Sequence, residues 1–153
     1  LEPGRAMTGN AQVLIASVAS VKHSVPKPDW AILDAGTNLA ECARSEFHRI
    51  FPADRMHERS LRCYRLAGPI CSPGDVVAWS APLPRLFAGD ALAIMDAGAY
   101  FVPFATSFSF PQPAIVVIDE GSVRIARQAE RFEDLVSLDV FGDTRGLEAA
   151  RPF

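Results

Sequence analysis

Between Gly68 and Val102 the chain reads GPICSPGDVVAWSAPLPRLFAGDALAIMDAGAYFV. The apolar runs there are short, and glycine or proline interrupts them before a helix of ordinary length can form. Proline removes a backbone donor and clashes with the preceding turn, and glycine costs about 1 kcal/mol against alanine inside a helix. Short apolar runs between such breaks suit strands joined by tight turns, the signature of a barrel or sandwich.

The flanking sequence extends this pattern. Val13, Ile15, Val18 and Val21 form a β-branched run that predicts a long strand over 11–22. PDWAILDAG predicts a short strand ended by Gly36, and Arg62 to Leu66 another. Asn38 and Glu41 have the form of a capping pair, and Leu39, Ala43, Phe47 and Ile50 follow at helical spacing until Pro52. PAIVVIDEGSVRIARQ predicts a hairpin around Asp119–Gly121. RFEDLVSL places Phe132, Leu135 and Val136 on one helical face, and the polar tail over 140–153 is expected to be loose. The fold class is therefore mainly β, with two short helices and one β domain over 11–139.

Composition excludes several functions. The 153 residues suffice for one domain with a real core. A net charge of −3, with no run of Lys or Arg, leaves no footprint for nucleic acid or an anionic membrane. No apolar stretch reaches the roughly 18–20 residues of a spanning helix. Cys42, Cys63 and Cys71 are few and odd in number, which fits reduced thiols in a cytoplasmic protein. The three histidines lack ligand spacing, so no metal site is expected. Asp75 and Asp90 each follow glycine and read as turn residues, and His48 and His57 read as surface helix or loop residues. Lysine occurs twice, as Lys22 and Lys27, where a strand end runs into a loop.

Three stretches carry chemistry in a fixed order: EPGR at 2–5, GPICSPGD at 68–75 and DAGAY at 96–100, followed by PAIVVID and RFEDLVSLD. Read singly, Glu2 and Arg5 fit a solvated turn, Cys71 fits inert packing and Tyr100 fits an aromatic in an apolar strand. As an ordered set over residues 1 to about 139, they resemble the C-terminal part of the pyridoxal-phosphate-dependent decarboxylases of the ornithine/diaminopimelate type, which share a fold with alanine racemase. The resemblance implies that residues 1–10 are the tail end of an α/β barrel. It also implies that the chain starts partway through an enzyme, without the lysine that anchors the cofactor.

What the resemblance implies for each residue is chemically coherent. Glu2 would keep the pyridine nitrogen of pyridoxal 5'-phosphate protonated, strengthening an electron sink. Arg5, with Gly4 allowing close backbone approach and Tyr100 donating a hydroxyl, would hold the phosphate. Cys71 would be catalytic, reaching across a homodimer interface to protonate or orient the intermediate in the neighbour's site. Ser72 stands where diamino-acid decarboxylases carry an acidic residue that reads a distal ammonium. The arginine-proline segment with its later tyrosine, which holds the distal carboxylate of diaminopimelate, is missing around Arg44. An amino-acid substrate other than diaminopimelate is therefore expected, with these residues inactive on their own. A regulatory or partner-binding homologue that lost the chemistry is the alternative. In the family, a strand from the extreme N-terminus completes the β domain. Without it an unpaired edge is expected to make the isolated chain oligomeric or aggregation-prone.

Overall fold

Alternation of buried and half-covered side chains builds the strands. In the computed structural model, which describes residues 1–59 and 62–139, Asp29, Ala31 and Leu33 of one strand are buried while Trp30 and Ile32 on its other face are partly covered. Six strands form one sheet within the unit Leu1–Ser109. They are β1 (Leu14–Lys22), β2 (Asp29–Leu33), β3 (Ile50–Pro52), β4 (Arg62–Ala67), β5 (Val76–Leu83) and β6 (Ala91–Ile94). Their order is β3-β6-β1-β2-β4-β5, and only β2 and β4 run parallel.

β1 serves two neighbours. Leu14–Ser17 pair with β6, and Val18–Lys22 pair with β2, with a register shift between Val18 and Ser20. Bulges of this kind sharpen the local twist, and the sheet curls so that its edge strands β3 and β5 return beside each other. No ladder joins them among the described residues. An apolar groove lined by Phe47, Ile50, Met56 and Trp79 runs along the gap. Inside the curl lie Val18, Leu33, Tyr64, Leu66, Leu83, Leu92 and Ile94, all under 2% exposed. Each such side chain contributes about 1.5–3 kcal/mol by leaving water. Tyr64 also accepts the backbone N–H of Leu86 at 3.2 Å, so its hydroxyl is satisfied in the core.

The mainly β, barrel-like class expected from the glycine and proline breaks is what the structure has. Of the two expected helices, the one read in RFEDLVSL is present at Phe132–Leu135 and the other is not. The periodicity over 39–50 predicts a helix, yet only a 3₁₀ turn forms at Glu41–Arg44. Ile50 enters β3 instead and pairs with Ile94, while Phe47 is 86% exposed. Pairing with β6 outweighs a helical stripe that had no second surface to cover. Asn38 is turned to accept the N–H of Gly36 rather than capping a helix. Two short helices the sequence does not announce are present, α1 (Gly4–Thr8) and α2 (Phe101–Phe104).

In the second unit, β7 (Ile115–Asp119) and β8 (Ser122–Arg127) form the expected hairpin, turning at Glu120 and Gly121 with φ of 44° and 81°. α3 (Phe132–Leu135) follows, with Phe132 exposed. The tail expected to be loose over 140–153 lies outside the described residues.

One buried charge locks the loop between β1 and β2. Asp29 is 3% exposed and binds Lys27, the N–H of Ser24 at 2.9 Å and His23 Nδ1 at 3.0 Å. Its carboxyl is held far below the usual carboxylate range, chiefly by Lys27 and then by the Ser24 amide and His23. A depressed pKa contributes stability that is present above the unfolded value near pH 4 and is lost progressively as pH falls from there toward the lower folded value. Asp29→Asn is expected to lower the urea midpoint at neutral pH. It should also flatten the acid limb of the stability curve, and an acid limb identical to that of the unsubstituted protein would refute the assignment.

Candidate active site

The segment EPGR becomes the start of α1 rather than a frayed end. Gly4 N–H donates to the Glu2 carbonyl at 2.9 Å, and α1 runs into a 3₁₀ turn at Gly9–Ala11. That turn is fastened to the DAGAY loop. Gly98 N–H donates to the Gly9 carbonyl and Ala97 N–H to the Gln12 carbonyl, both at 2.9 Å. A Cβ on Gly98 would lie 1.8 Å from the Thr8 carbonyl oxygen, so only glycine fits the approach.

The consequence is that EPGR and DAGAY meet, although 90 residues, 6–95, lie between them. Arg5 Cζ sits 5.1 Å from the Tyr100 ring centre, and a Cβ built on Gly4 would lie 3.4 Å from the Tyr100 hydroxyl. Tyr100 is not in a strand. It occupies the left-handed region with φ of 68°, just before α2, and stacks on Phe104 with ring centres 5.6 Å apart. Glu2 is exposed, and its carboxylate makes no hydrogen bond or ion pair among the described residues.

Arg5 is already engaged. Glu46 takes both terminal nitrogens of the guanidinium, one at 2.8 Å. Beyond Glu46 lies His48, which is 8% exposed and packs edge-on against Phe101 at 5.0 Å. His48 read as a surface residue from its sequence context. It is buried because the strand it enters pairs with β6, whose end carries the Met95 carbonyl it binds.

The loop after β4 carries Cys71 and Ser72, both exposed. Asp75 shapes it from beneath. Its carboxylate is 3% exposed and accepts the Thr37 N–H at 2.7 Å, the Thr37 hydroxyl at 3.0 Å and the Ile70 N–H at 2.9 Å. A Cβ on Gly36 or Gly68 would come within 2.3 Å of that carboxylate, so both glycines make room for it. Asp75 lies in a turn, as its sequence context suggests, but its side chain joins the loops that follow β2 and β4. No local signal distinguishes that role from an ordinary turn aspartate.

Two adjoining cavities result. Arg5, Tyr100, Glu46 and Arg44 line one of about 570 Å³, and Cys71, Ser72, Asn38 and Thr106 line one of about 480 Å³. Glu41 and Phe104 belong to both walls. Arg44 Nη1 donates to Glu41 at 2.9 Å, so cation and anion stand between Arg5 and Ser72. Neither Lys22 nor Lys27 lines either cavity, and Lys27 is bound to Asp29. Among the described residues no helix is long and apolar enough to cross a membrane.

Residues 8–98 match the family described as pyridoxal-dependent decarboxylase, C-terminal sheet domain. A diaminopimelate decarboxylase of Methanothermobacter thermautotrophicus is 38% identical over 139 residues, covering 89% of this chain and 32% of that protein. A crystal structure of an Aquifex aeolicus protein superposes with a TM-score of 0.80 at 32% identity, over 90% of this chain and 34% of the other. The diaminopimelate decarboxylase of M. jannaschii in complex with L-lysine gives 0.79 at 28% identity, over 91% and 32%. The chain thus spans about a third of the length of the relatives it matches. Their names run against the expectation, drawn from Ser72 and the missing arginine-proline segment, that diaminopimelate is a poor match. The cleft does carry both signs of charge, Glu41 and Arg44, bound to each other. The regulatory alternative finds no support among these relatives.

Replacing Asp75 by asparagine turns one acceptor into a donor facing a buried N–H. The expected cost is about 1.5–3 kcal/mol of stability. Chemical denaturation checks it, and an unchanged midpoint would show that the carboxylate is not what holds the two loops.

Proposed function

Because the chain belongs to the pyridoxal-dependent decarboxylases, as their C-terminal sheet domain, we propose that it supplies one wall of the active site of a carboxy-lyase acting on an amino acid. The observation that carries this reading is the meeting of Arg5 and Tyr100 in one cavity, with Gly4 beside the Tyr100 hydroxyl. A phosphate needs a cation, a hydroxyl donor and unobstructed backbone. A guanidinium fork, a phenol and a glycine without a Cβ are those three things.

Pyridoxal 5'-phosphate, when bound, supplies the sink for the electron pair left when the bond between the α-carbon and the carboxylate carbon breaks and carbon dioxide departs. This chain's residues do the rest of the work on its side of the cleft. Arg5 and Tyr100 hold the phosphate. Glu2, without a hydrogen-bond or ion-pair partner among the described residues, is the carboxylate available to the ring nitrogen. Cys71 is the proton donor to the α-carbon and recovers its proton from solvent. We assign Cys71 to a site shared with a second copy of the protein, with residues 1–10 ending the barrel that carries the anchoring lysine. Ser72, with Glu41 and Arg44, faces the far end of the substrate. Diaminopimelate, which carries an ammonium and a carboxylate there, matches that pair of charges and is the first substrate to test.

In the protein that carries this chain, Arg5→Ala is expected to weaken cofactor binding by one to two decades, the equivalent of about 1.5–3 kcal/mol. Tyr100→Phe should cost about 1 kcal/mol, or roughly fivefold. Titration of the cofactor's visible absorbance measures both. Cys71→Ala should leave that absorbance in place and slow formation of the α-protonated amine product from diaminopimelate. Unaltered cofactor binding in both Arg5→Ala and Tyr100→Phe would sink the assignment.

A further inference from the structure

We propose that Glu46 is a stand-in for the cofactor's phosphate on Arg5, and that it is displaced onto His48 when the phosphate arrives. The inference rests on the phosphate reading of Arg5 given above. It starts from two independent observations. The Arg5 guanidinium, the cation expected to meet a phosphate, is taken at both terminal nitrogens by the Glu46 carboxylate. His48, nine-tenths buried, has a ring nitrogen, Nε2, with no hydrogen-bond partner.

The tautomer of His48 follows from its other nitrogen. Nδ1 lies 2.9 Å from the Met95 carbonyl, which can only accept, so Nδ1 carries a hydrogen. A neutral ring then presents the Nε2 lone pair, and Nε2 is 3.7 Å from Glu46 Oε2. Lone pair against carboxylate is unfavourable. A proton on Nε2 turns the same approach into a charge-assisted hydrogen bond after a movement of under about 1 Å. Glu46 therefore has two partners within reach, the Arg5 guanidinium on one side and, once it takes a proton, the His48 ring on the other. Arg5 reaches it from α1 beneath the Tyr100 ring, while Phe101 and the Met95 carbonyl close the far side of His48. Arg44 lines the same cavity and is bound to Glu41. No other charged side chain contacts Glu46 or His48 among the described residues.

A dianionic phosphate on Arg5 competes directly with Glu46. Released, the carboxylate would face the incoming anion unless it pairs elsewhere, and His48 takes it by gaining a proton. Phosphate binding and proton uptake are then one coupled event, with Glu46 and His48 acting as positioning residues through Arg5. Coupling of this kind has a sign. A proton gained on binding means that affinity falls as pH rises through the histidine range. The phosphate's own titration near pH 6 acts in the opposite sense and is common to every variant.

The test uses pyridoxamine 5'-phosphate, which bears the same phosphate and forms no bond to a lysine, with the protein that carries this chain. Its dissociation constant is measured by fluorescence quenching from about pH 6 to about pH 9, spanning the histidine range. The unsubstituted protein should lose affinity with rising pH, by at most roughly tenfold per unit for one proton. Glu46→Gln should bind several-fold more tightly, because Arg5 is unmasked, and His48→Gln several-fold more weakly, because Glu46 has nowhere to go. Both should lose the pH slope. A purely structural role would weaken binding in both. Shifts in the same direction, or a slope shared with the unsubstituted protein, overturn the proposal. If His48→Gln does not fold, as a circular dichroism melt would show, the half-exposed Glu46→Gln decides alone by the same two readouts. Arg5→Ala separates the two claims: binding as tight as in the unsubstituted protein removes the phosphate reading itself. Weakened binding in Arg5→Ala with an undiminished slope in Glu46→Gln removes only the displacement.

Discussion

A single carboxylate, buried between two loops, holds the working end of this domain in shape. β2 and β4 are parallel neighbours, so the loops that leave their carboxyl ends emerge side by side. Asp75 fills the space between them and satisfies three donors that the loops would otherwise leave without partners. Gly36 and Gly68 contribute by what they lack, since a methyl group at either would collide with that side chain. Removing a group that satisfies buried donors costs more than the bond itself gained, because the orphaned donors have lost their water as well. The exposed Cys71–Ser72 stretch is therefore anchored from beneath by Asp75 although it stands at the surface.

The charges in the cleft are paired in a way that stability does not require. Arg44 and Glu41 are both about half exposed, and pairs of that kind contribute roughly 0–1 kcal/mol. Arg5 and Glu46 are more than a third exposed on each side and subject to the same screening. Such pairs are cheap to open. A ligand that brings its own phosphate, ammonium or carboxylate can take one partner from either pair without unfolding anything. Chemistry and scaffold are thus divided. The sheet and Asp75 hold position, while the exposed ion pairs are the weakly held contacts of the cleft.

How far the sequence is legible depends on the range of the interaction concerned. Strands were readable because β-branched runs and the Gly and Pro breaks that bound them are local, as in Val13 to Val21 and in PDWAILDAG. The hairpin at Asp119–Gly121 was readable because a Glu-Gly pair that tolerates positive φ sits between two β-branched runs. The helix read over 39–50 was not there, because Ile50 finds a better partner in Ile94 than in its own helical neighbours. His48 looked superficial for the same reason: nothing near it in the chain reveals Met95 or Phe101. Asp75 looked like any aspartate in a turn.

By itself the sequence determined the class of fold, which depends on residue type, spacing and backbone sterics acting within a few positions of chain. The motifs that could meet a phosphorylated ring were legible only through the resemblance to a family. Only the tertiary structure decided that Gly98 docks on Thr8 and brings Tyr100 over Arg5, and that Asp75 bridges two loops. It alone showed that Glu46 lies between a guanidinium and a buried imidazole. Contacts between residues tens of positions apart are chosen by how the sheet curls, and that choice is made by packing all six strands at once.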